Sequence, residues 1–141
     1  MFYQFSGLFG QGLSSALWAV MVACLLPYVW AIVAKKAGGF RSSDNANPRA
    51  FLANTTGLAA RANAAHANSF ESLPFFIAGV LVAVYTFVPQ QVVNGLAWLY
   101  VALRVCYGLA YLLNAATLRS ILWALSMATV VMLFSLAIKM V

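Results

Sequence analysis

Four long apolar segments constrain this chain more than any other feature of its sequence. A hydrocarbon layer about 30 Å thick is crossed by about 20 helical residues, and segments near that length lie at residues 13–34, 73–88, 92–113 and 118–140. A helix-compatible polar stretch from about residue 49 leads into the second segment, so that helix is predicted to begin outside the membrane. We therefore predict a single all-α integral membrane domain, a bundle of four transmembrane helices.

The composition excludes the main alternatives to a membrane protein. Hydrophobic residues make up 65% of the chain and charged residues only 7%, whereas soluble domains carry about 25% charged residues. The eight Lys and Arg against two Asp and Glu give a formal charge of +6. Only one short stretch clusters these cations, and a nucleic-acid-binding face needs them clustered on a wettable surface. The predicted partner is the lipid bilayer, not nucleic acid.

The connections predict how the spans run. The turns after the second and third spans are short, so neighbouring spans are antiparallel. Positive residues concentrate beside the first and third connections and leave only one lysine on the other side: Lys35, Lys36, Arg41, Arg49 and Arg119, against Lys139. Because cytoplasmic loops carry the excess of Lys and Arg, the charged loops are predicted to be cytoplasmic and both termini outside. Residues 1–12 lack the basic region of a cleaved signal peptide.

Polar residues recur along one face of each of the last three helices at about 100° per residue. The second helix aligns Arg61, Ala64, Asn68, Glu71, Ser72 and Phe75; the third aligns Tyr100, Arg104, Tyr107, Tyr111 and Asn114; the fourth aligns Arg119, Ser126 and Thr129, with Ser120 beside Arg119. A charged side chain at membrane depth costs a few kcal/mol and calls for a partner or a purpose.

Each polar face allows a structural and a functional interpretation. Glu71 and Arg104 are predicted to pair, either as a buried ion pair that fixes helix register or as part of a ligand site. Asn68 is equally suited to a hydrogen bond between helices. The tyrosines are equally suited to packing, and Trp123 to packing or to facing lipid. The functional interpretation is a cationic, hydroxyl-lined cleft open to the cytosol and flanked by lipid, which suits a small anionic peptide and an apolar molecule.

His66 is the only histidine. It lies about 140° around the helix from Arg61, and no Cys, Asp or second His stands at metal-ligand spacing. We therefore predict no metal site and favour a structural role for His66 over a general base. The sequence also has no Gly-rich phosphate loop and no Ser/His/Asp arrangement. Hydrolytic and nucleotide-dependent chemistry is unsupported.

The residues on these faces resemble the superfamily of membrane-associated proteins in eicosanoid and glutathione metabolism, MAPEG. The second-helix segment RANAAHANSFESLPFF, residues 61–76, is similar to the family pattern Arg-x-x-x-Ala-His/Gln-x-Asn-x-x-Glu-x-x-Pro-x-Phe. A second similarity is the segment RVCYGLAY at residues 104–111, followed by the Arg119-Ser120 pair. The resemblance covers essentially the whole chain and is greatest to short bacterial members, which implies the bacterial inner membrane.

The resemblance implies a homotrimer that binds glutathione between subunits near the cytoplasmic face. Arg119 would stabilise the glutathione thiolate and Ser120 would be a second donor. The residues similar to glutathione contacts or their supports are Arg61, Asn68, Glu71, Arg104, Tyr107 and Tyr111. The thiolate would then attack or reduce a lipophilic electrophile from the membrane, which is a transferase or peroxidase-like activity.

The chain also departs from the family pattern, which keeps a second function open. Family synthases often have arginine where this chain has Ala64, and basic residues where it has Asn114 and the two alanines that follow. The carboxylate that some members place after Asn-Pro is absent, since Arg49 follows Pro48. Fewer cations favour the alternative of a non-catalytic lipid-binding or scaffold protein of the same fold. A transporter has less support, because no Gly/Pro-broken helix pair is present.

Overall fold

The computed structural model describes residues 12–141, so the prediction about a signal peptide lies largely outside the described residues. The helices are α1 (Leu13–Gly38), a 3-10 helix (Ser42–Ala46), α2 (Pro48–Ala53), α3 (Gly57–Tyr85), α4 (Gln90–Leu112) and α5 (Ala116–Lys139). No strand occurs in this part of the chain. Four helices, α1, α3, α4 and α5, are long and apolar enough to cross a membrane. The predicted all-α, four-span fold is confirmed.

Helices α3 and α4 form the centre of the bundle. Each of them packs on both α1 and α5, and the two helices also pack on each other. Alanines at buried positions of α1 and α3, such as Ala19, Ala23 and Ala62, let the backbones approach closely, as in other membrane helix pairs. Gly79 of α3 lies against Val130 and Leu133 of α5 in the same way. Small residues therefore determine which helix faces meet.

The segment between α1 and α3 contains more helix than its turn-forming residues predict. Gly39 ends α1 with a φ of 73°, a conformation that glycine adopts without strain. Asn47 then caps α2, because its Oδ1 accepts a hydrogen bond from the Ala50 N–H at 3.2 Å, and Pro48 takes the first helical position. The helix predicted from about residue 49 is interrupted before Gly57, where α3 begins.

Polar side chains explain this interruption. Asn54 donates its Nδ2 to the Ala50 carbonyl at 2.9 Å, and Thr55 donates its hydroxyl to the Leu52 carbonyl at 2.7 Å. Short polar side chains of this kind compete with the helical backbone for hydrogen bonds. Helix α2 therefore ends there and α3 starts as a separate helix.

A tight turn joins α4 to α5 and positions the candidate site. Asn114 has a φ of 58°, which asparagine tolerates better than most residues. The Ala115 N–H bonds the Ala110 carbonyl at 2.9 Å, and the Asn114 N–H bonds the Tyr111 carbonyl at 3.0 Å. This pair of bonds is a Schellman motif, which satisfies carbonyls at the helix end. The turn brings the last tyrosine of α4 beside the first turn of α5.

Most of the surface of each span faces away from the rest of the protomer. Only between 28% and 44% of the residues in the most apolar window of each span are buried within the protomer. Large apolar side chains such as Phe75, Val131 and Ile138 are more than 60% exposed. A soluble monomer does not tolerate apolar surface on this scale. The bundle therefore belongs in a lipid bilayer.

Candidate functional site

Arg104 is a buried cation in the middle of the bundle. Its side chain is only 1% exposed, although it projects from a membrane-spanning helix. Nη2 donates to Asn68 Oδ1 at 2.9 Å and lies 3.4 Å from Ser69 Oγ. The guanidinium carbon lies 4.2 Å from the centre of the Tyr107 ring, within cation–π range. Nη1 is also buried and has no hydrogen-bond partner.

The direct ion pair predicted between Glu71 and Arg104 is not formed. Asn68 stands between them instead, since its Nδ2 donates to Glu71 Oε2 at 3.3 Å while its Oδ1 accepts from Arg104. An amide can serve both partners at once because it has a donor and an acceptor. Glu71 itself is exposed on the surface of the protomer.

Arg119 stands at the other end of the tyrosine face. Its guanidinium carbon lies 4.4 Å from the centre of the Tyr111 ring. The rings of Tyr107 and Tyr111 meet edge to face, with centres 5.3 Å apart. A cation on an aromatic ring uses its face, whereas guanidinium N–H groups donate in the plane. No acceptor among the described residues bonds the Arg119 side chain, so its edges are available to an anion.

A small open cleft of about 130 Å³ lies beside Arg119. Its lining consists of Tyr107 from α4 and Arg119, Ser120 and Trp123 from α5. The Ser120 hydroxyl donates to the Ala116 carbonyl of its own helix at 3.2 Å and is exposed. The two residues predicted to act on a thiolate therefore share one cleft with a phenol and an indole.

All the predicted site residues except Arg61 form one continuous series of contacts, which we call the contact chain. It runs from α3 across α4 to α5 in the order Glu71, Asn68, Arg104, Tyr107, Tyr111 and Arg119. Ser120 joins it at the cleft. With two arginines and one carboxylate, the contact chain carries a net positive charge and suits an anionic ligand.

Arg61 lies apart from the contact chain. Its Nε donates to the Leu112 carbonyl at 3.2 Å, which is the last residue of α4. A cation at this position satisfies a free carbonyl and is attracted to the negative end of the helix. In the protomer, Arg61 therefore caps α4 and fixes its end against α3.

His66 and Tyr100 have structural contacts. His66 Nδ1 lies 2.9 Å from the carbonyl oxygen of Pro27, inside α1, and its ring meets Phe70 edge to face. The Tyr100 hydroxyl donates to Ser72 Oγ at 3.0 Å, and its ring stacks on Phe76 at 3.9 Å. These contacts favour the structural interpretation of His66 over a general base. Among the described residues, no cluster of His, Cys, Asp or Glu suited to a metal occurs.

Trp123 is a residue of the site that was not predicted from the sequence. The residue was predicted to pack or face lipid, yet it lines the cleft beside Arg119. Its spacing contained the signal: residues three and four apart share a helix face, and Trp123 follows Ser120 by three residues and Arg119 by four.

Comparison with known proteins agrees with the architecture. Residues 15–139 match the family model described as MAPEG family. No curated protein and no solved structure matches the chain. The match covers all four spans except the first two residues of α1, and it includes every residue of the contact chain.

Proposed function

The chain belongs to the MAPEG family, and from this membership we propose that it is a membrane-bound glutathione transferase or peroxidase-like enzyme acting on lipophilic electrophiles. The family includes glutathione transferases and peroxidases. The observation that carries the proposal is the free edge of the Arg119 guanidinium in a cleft that also contains a phenol and a hydroxyl. Glutathione is the proposed co-substrate.

The proposed role of Arg119 is to hold the glutathione sulfur as a thiolate. An opposite charge within reach lowers the pKa of a thiol, and the thiolate is the nucleophile. The thiol proton passes to water, and the thiolate attacks an electrophile that arrives from the membrane. Ser120 would add a second donor after releasing the Ala116 carbonyl. Tyr107 and Tyr111 support the two arginines, and Asn68 and Glu71 are proposed to contact the peptide.

We also propose the homotrimer that the family resemblance implies. A neighbouring subunit at the site is supported by the size of the cleft, because the cleft of one chain is too small for a tripeptide. Its volume is about 130 Å³, whereas pockets for small ligands usually measure about 300–1,000 Å³. Glu71 is exposed on α3, and a carboxylate facing lipid is costly. A neighbouring subunit packed over Glu71 and the cleft would enclose the peptide.

For localisation, we propose the bacterial inner membrane with the basic end in the cytoplasm. The basic end of the bundle comprises the α1–α3 connection and the α4–α5 turn, and it carries Lys35, Lys36, Arg41, Arg49 and Arg119. The distribution of positive charge supports this orientation. It places the cleft where cytosolic glutathione can reach it.

The test is the rate of conjugation of glutathione with 1-chloro-2,4-dinitrobenzene by detergent-purified protein. Arg119→Ala is expected to lower kcat/KM by about 10- to 1,000-fold, the size of the one- to three-unit pKa shift that an opposite charge produces. Its pH–rate profile should also move to higher pH, because the thiol then ionises less readily. Arg49→Ala, which removes an exposed cation from α2, is the matched control. Equal rates for wild type and Arg119→Ala would refute the role of Arg119.

The internal contacts of Arg61 and Arg104 favour a second candidate. Both arginines are engaged within the chain, so Arg119 is the one predicted site arginine whose side chain has no acceptor among the described residues, and the proposed peptide has two carboxylates. This favours a non-catalytic lipid-binding or scaffold protein. The discriminating measurement is the thermal stability with glutathione, since a ligand at 100 times its Kd stabilises the folded state by about 2.7 kcal/mol. No change in Tm at millimolar glutathione would favour the second candidate.

A further inference from the structure

Among the residues that line the cleft, Trp123 has no role in the proposed thiolate chemistry. It is 45% exposed, and it lines the cleft together with Tyr107, Arg119 and Ser120. The cation and the hydroxyl bind the anionic partner in the proposed reaction. The indole ring offers an apolar, electron-rich face beside them, which is the kind of surface that binds the second substrate.

We propose that Trp123 determines the substrate specificity of the cleft by stacking on flat, electron-poor π-systems such as activated aryl halides. This inference rests on the proposed function. In the reaction, the thiolate sulfur bonds to the ring carbon that carries the halide, the halide leaves with the bonding electron pair, and the thiol proton goes to water. The indole holds the ring of the electrophile flat, one helical turn from the anion-binding donors Arg119 and Ser120.

The exposure of Trp123 itself supports entry from the membrane. The indole is 45% exposed on a membrane-spanning helix, and it lines the open cleft. An apolar electrophile in the bilayer can therefore reach the indole, whereas the anionic thiol reaches Arg119 from the aqueous side.

Stacking on the indole can be distinguished from plain apolar contact by comparing aryl with alkyl substrates. Aromatic rings prefer offset or edge-to-face contact, and such pairs contribute more than their buried area alone. A leucine in place of the indole keeps apolar contact but removes the π-face. The expected loss is about 2- to 13-fold in affinity for an aryl group, which corresponds to about 0.5–1.5 kcal/mol at 1.36 kcal/mol per tenfold change. An alkyl substrate has no π-system to lose.

The experiment compares Trp123→Leu, Trp123→Phe and Trp18→Leu with the wild type. Trp18 is the matched control, because it is 37% exposed and lies near the start of α1, at the opposite end of the bundle. The readout is the ratio of kcat/KM for 1-chloro-2,4-dinitrobenzene to kcat/KM for 1-iodohexane, both with glutathione. This ratio should fall about 2- to 13-fold in Trp123→Leu, and Trp123→Phe and Trp18→Leu should keep the wild-type ratio within about twofold. An unchanged ratio in Trp123→Leu would overturn the proposal, whether both kcat/KM values stay the same or both fall equally.

A binding measurement makes the outcome independent of turnover. Quenching of tryptophan fluorescence is titrated with 1,3-dinitrobenzene, which has no leaving group. The wild type and Trp18→Leu should show a saturable component that Trp123→Leu lacks. If the wild type conjugates neither halide but shows this pattern, the proposed function fails while the aryl-binding role of Trp123 stands. If saturable quenching is absent from the wild type or survives in Trp123→Leu, the inference is wrong.

Discussion

At the scale of single residues, Arg104 shows what a charged side chain requires when it is buried in a membrane-spanning helix. Its guanidinium is buried, with Asn68 Oδ1 as its closest acceptor at 2.9 Å. Leaving a buried donor without its acceptor costs more than replacing the donor by an apolar group. The two members of this pair should therefore respond unequally to substitution.

We predict that Asn68→Leu destabilises the protein by about 2–4 kcal/mol, because the cation stays buried without its acceptor. Arg104→Met should cost less, since it removes the buried charge itself. The double variant should be no less stable than Asn68→Leu alone. Unfolding in mixed micelles, followed by helical circular dichroism, measures all three. Equal and additive losses would show that the guanidinium is satisfied by groups other than Asn68.

At the scale of helices, the contact between α1 and α4 depends on one glycine. A Cβ added at Gly108 would overlap the six-membered ring of the Trp30 indole, which is 4% exposed. Trp30 Nε1 is buried and has no hydrogen-bond partner, so the indole is held there by packing alone. The position of α1, and of Pro27 against His66, follows from this close approach.

Gly108→Ala is expected to lower the free energy of unfolding by about 1–3 kcal/mol, the usual cost of overpacking a core. Trp30→Phe in the same chain should restore part of the loss, because the smaller ring makes room and no hydrogen bond is lost. Gly95→Ala is the control on the same helix: nothing lies within 4 Å of the added Cβ, and alanine favours helix. If both glycine variants behave alike, helix propensity outweighs the contact with Trp30.

At the scale of the whole molecule, the single chain presents polar groups on an otherwise apolar surface. A carboxylate and a half-open cationic cleft face outward from helices that are otherwise apolar outside. Lipid solvates the carboxylate poorly, and the cleft of a single chain is too small to enclose a tripeptide. A neighbouring subunit would cover both and is proposed to complete the glutathione site.

We predict that the protein released from mild detergent has three times the 15.2 kDa protomer mass by native mass spectrometry. Glu71→Leu removes the exposed carboxylate from the proposed subunit boundary. It should reduce glutathione-dependent stabilisation without changing the helical content, since Glu71 lies outside the core. A monomer that binds glutathione with full stabilisation would contradict the proposed subunit boundary.

The sequence alone determined the four spans, their antiparallel order and the helix faces on which the residues of the contact chain lie. Helix length against bilayer thickness, and the spacing of polar residues on each face, are local properties that a sequence displays directly. Two expectations failed because they depended on competition between neighbouring groups. The helix predicted from about residue 49 is interrupted where Asn54 and Thr55 bond backbone carbonyls of α2, and Asn68 takes the place of the direct ion pair between Glu71 and Arg104.

Only the tertiary structure decided which polar groups of the described residues bond other groups of the protein and which remain available to a ligand. Arg61 and Arg119 are both arginines near the basic end, yet one caps α4 while the other keeps its edges open beside a cleft. Likewise, Trp123 joins the site because α5 turns its face toward Tyr107. The physical reason is that these hydrogen bonds and ring contacts form between helices. Which side chain reaches a given carbonyl, amide or ring depends on distances across the bundle. Residue spacing along one helix does not contain those distances.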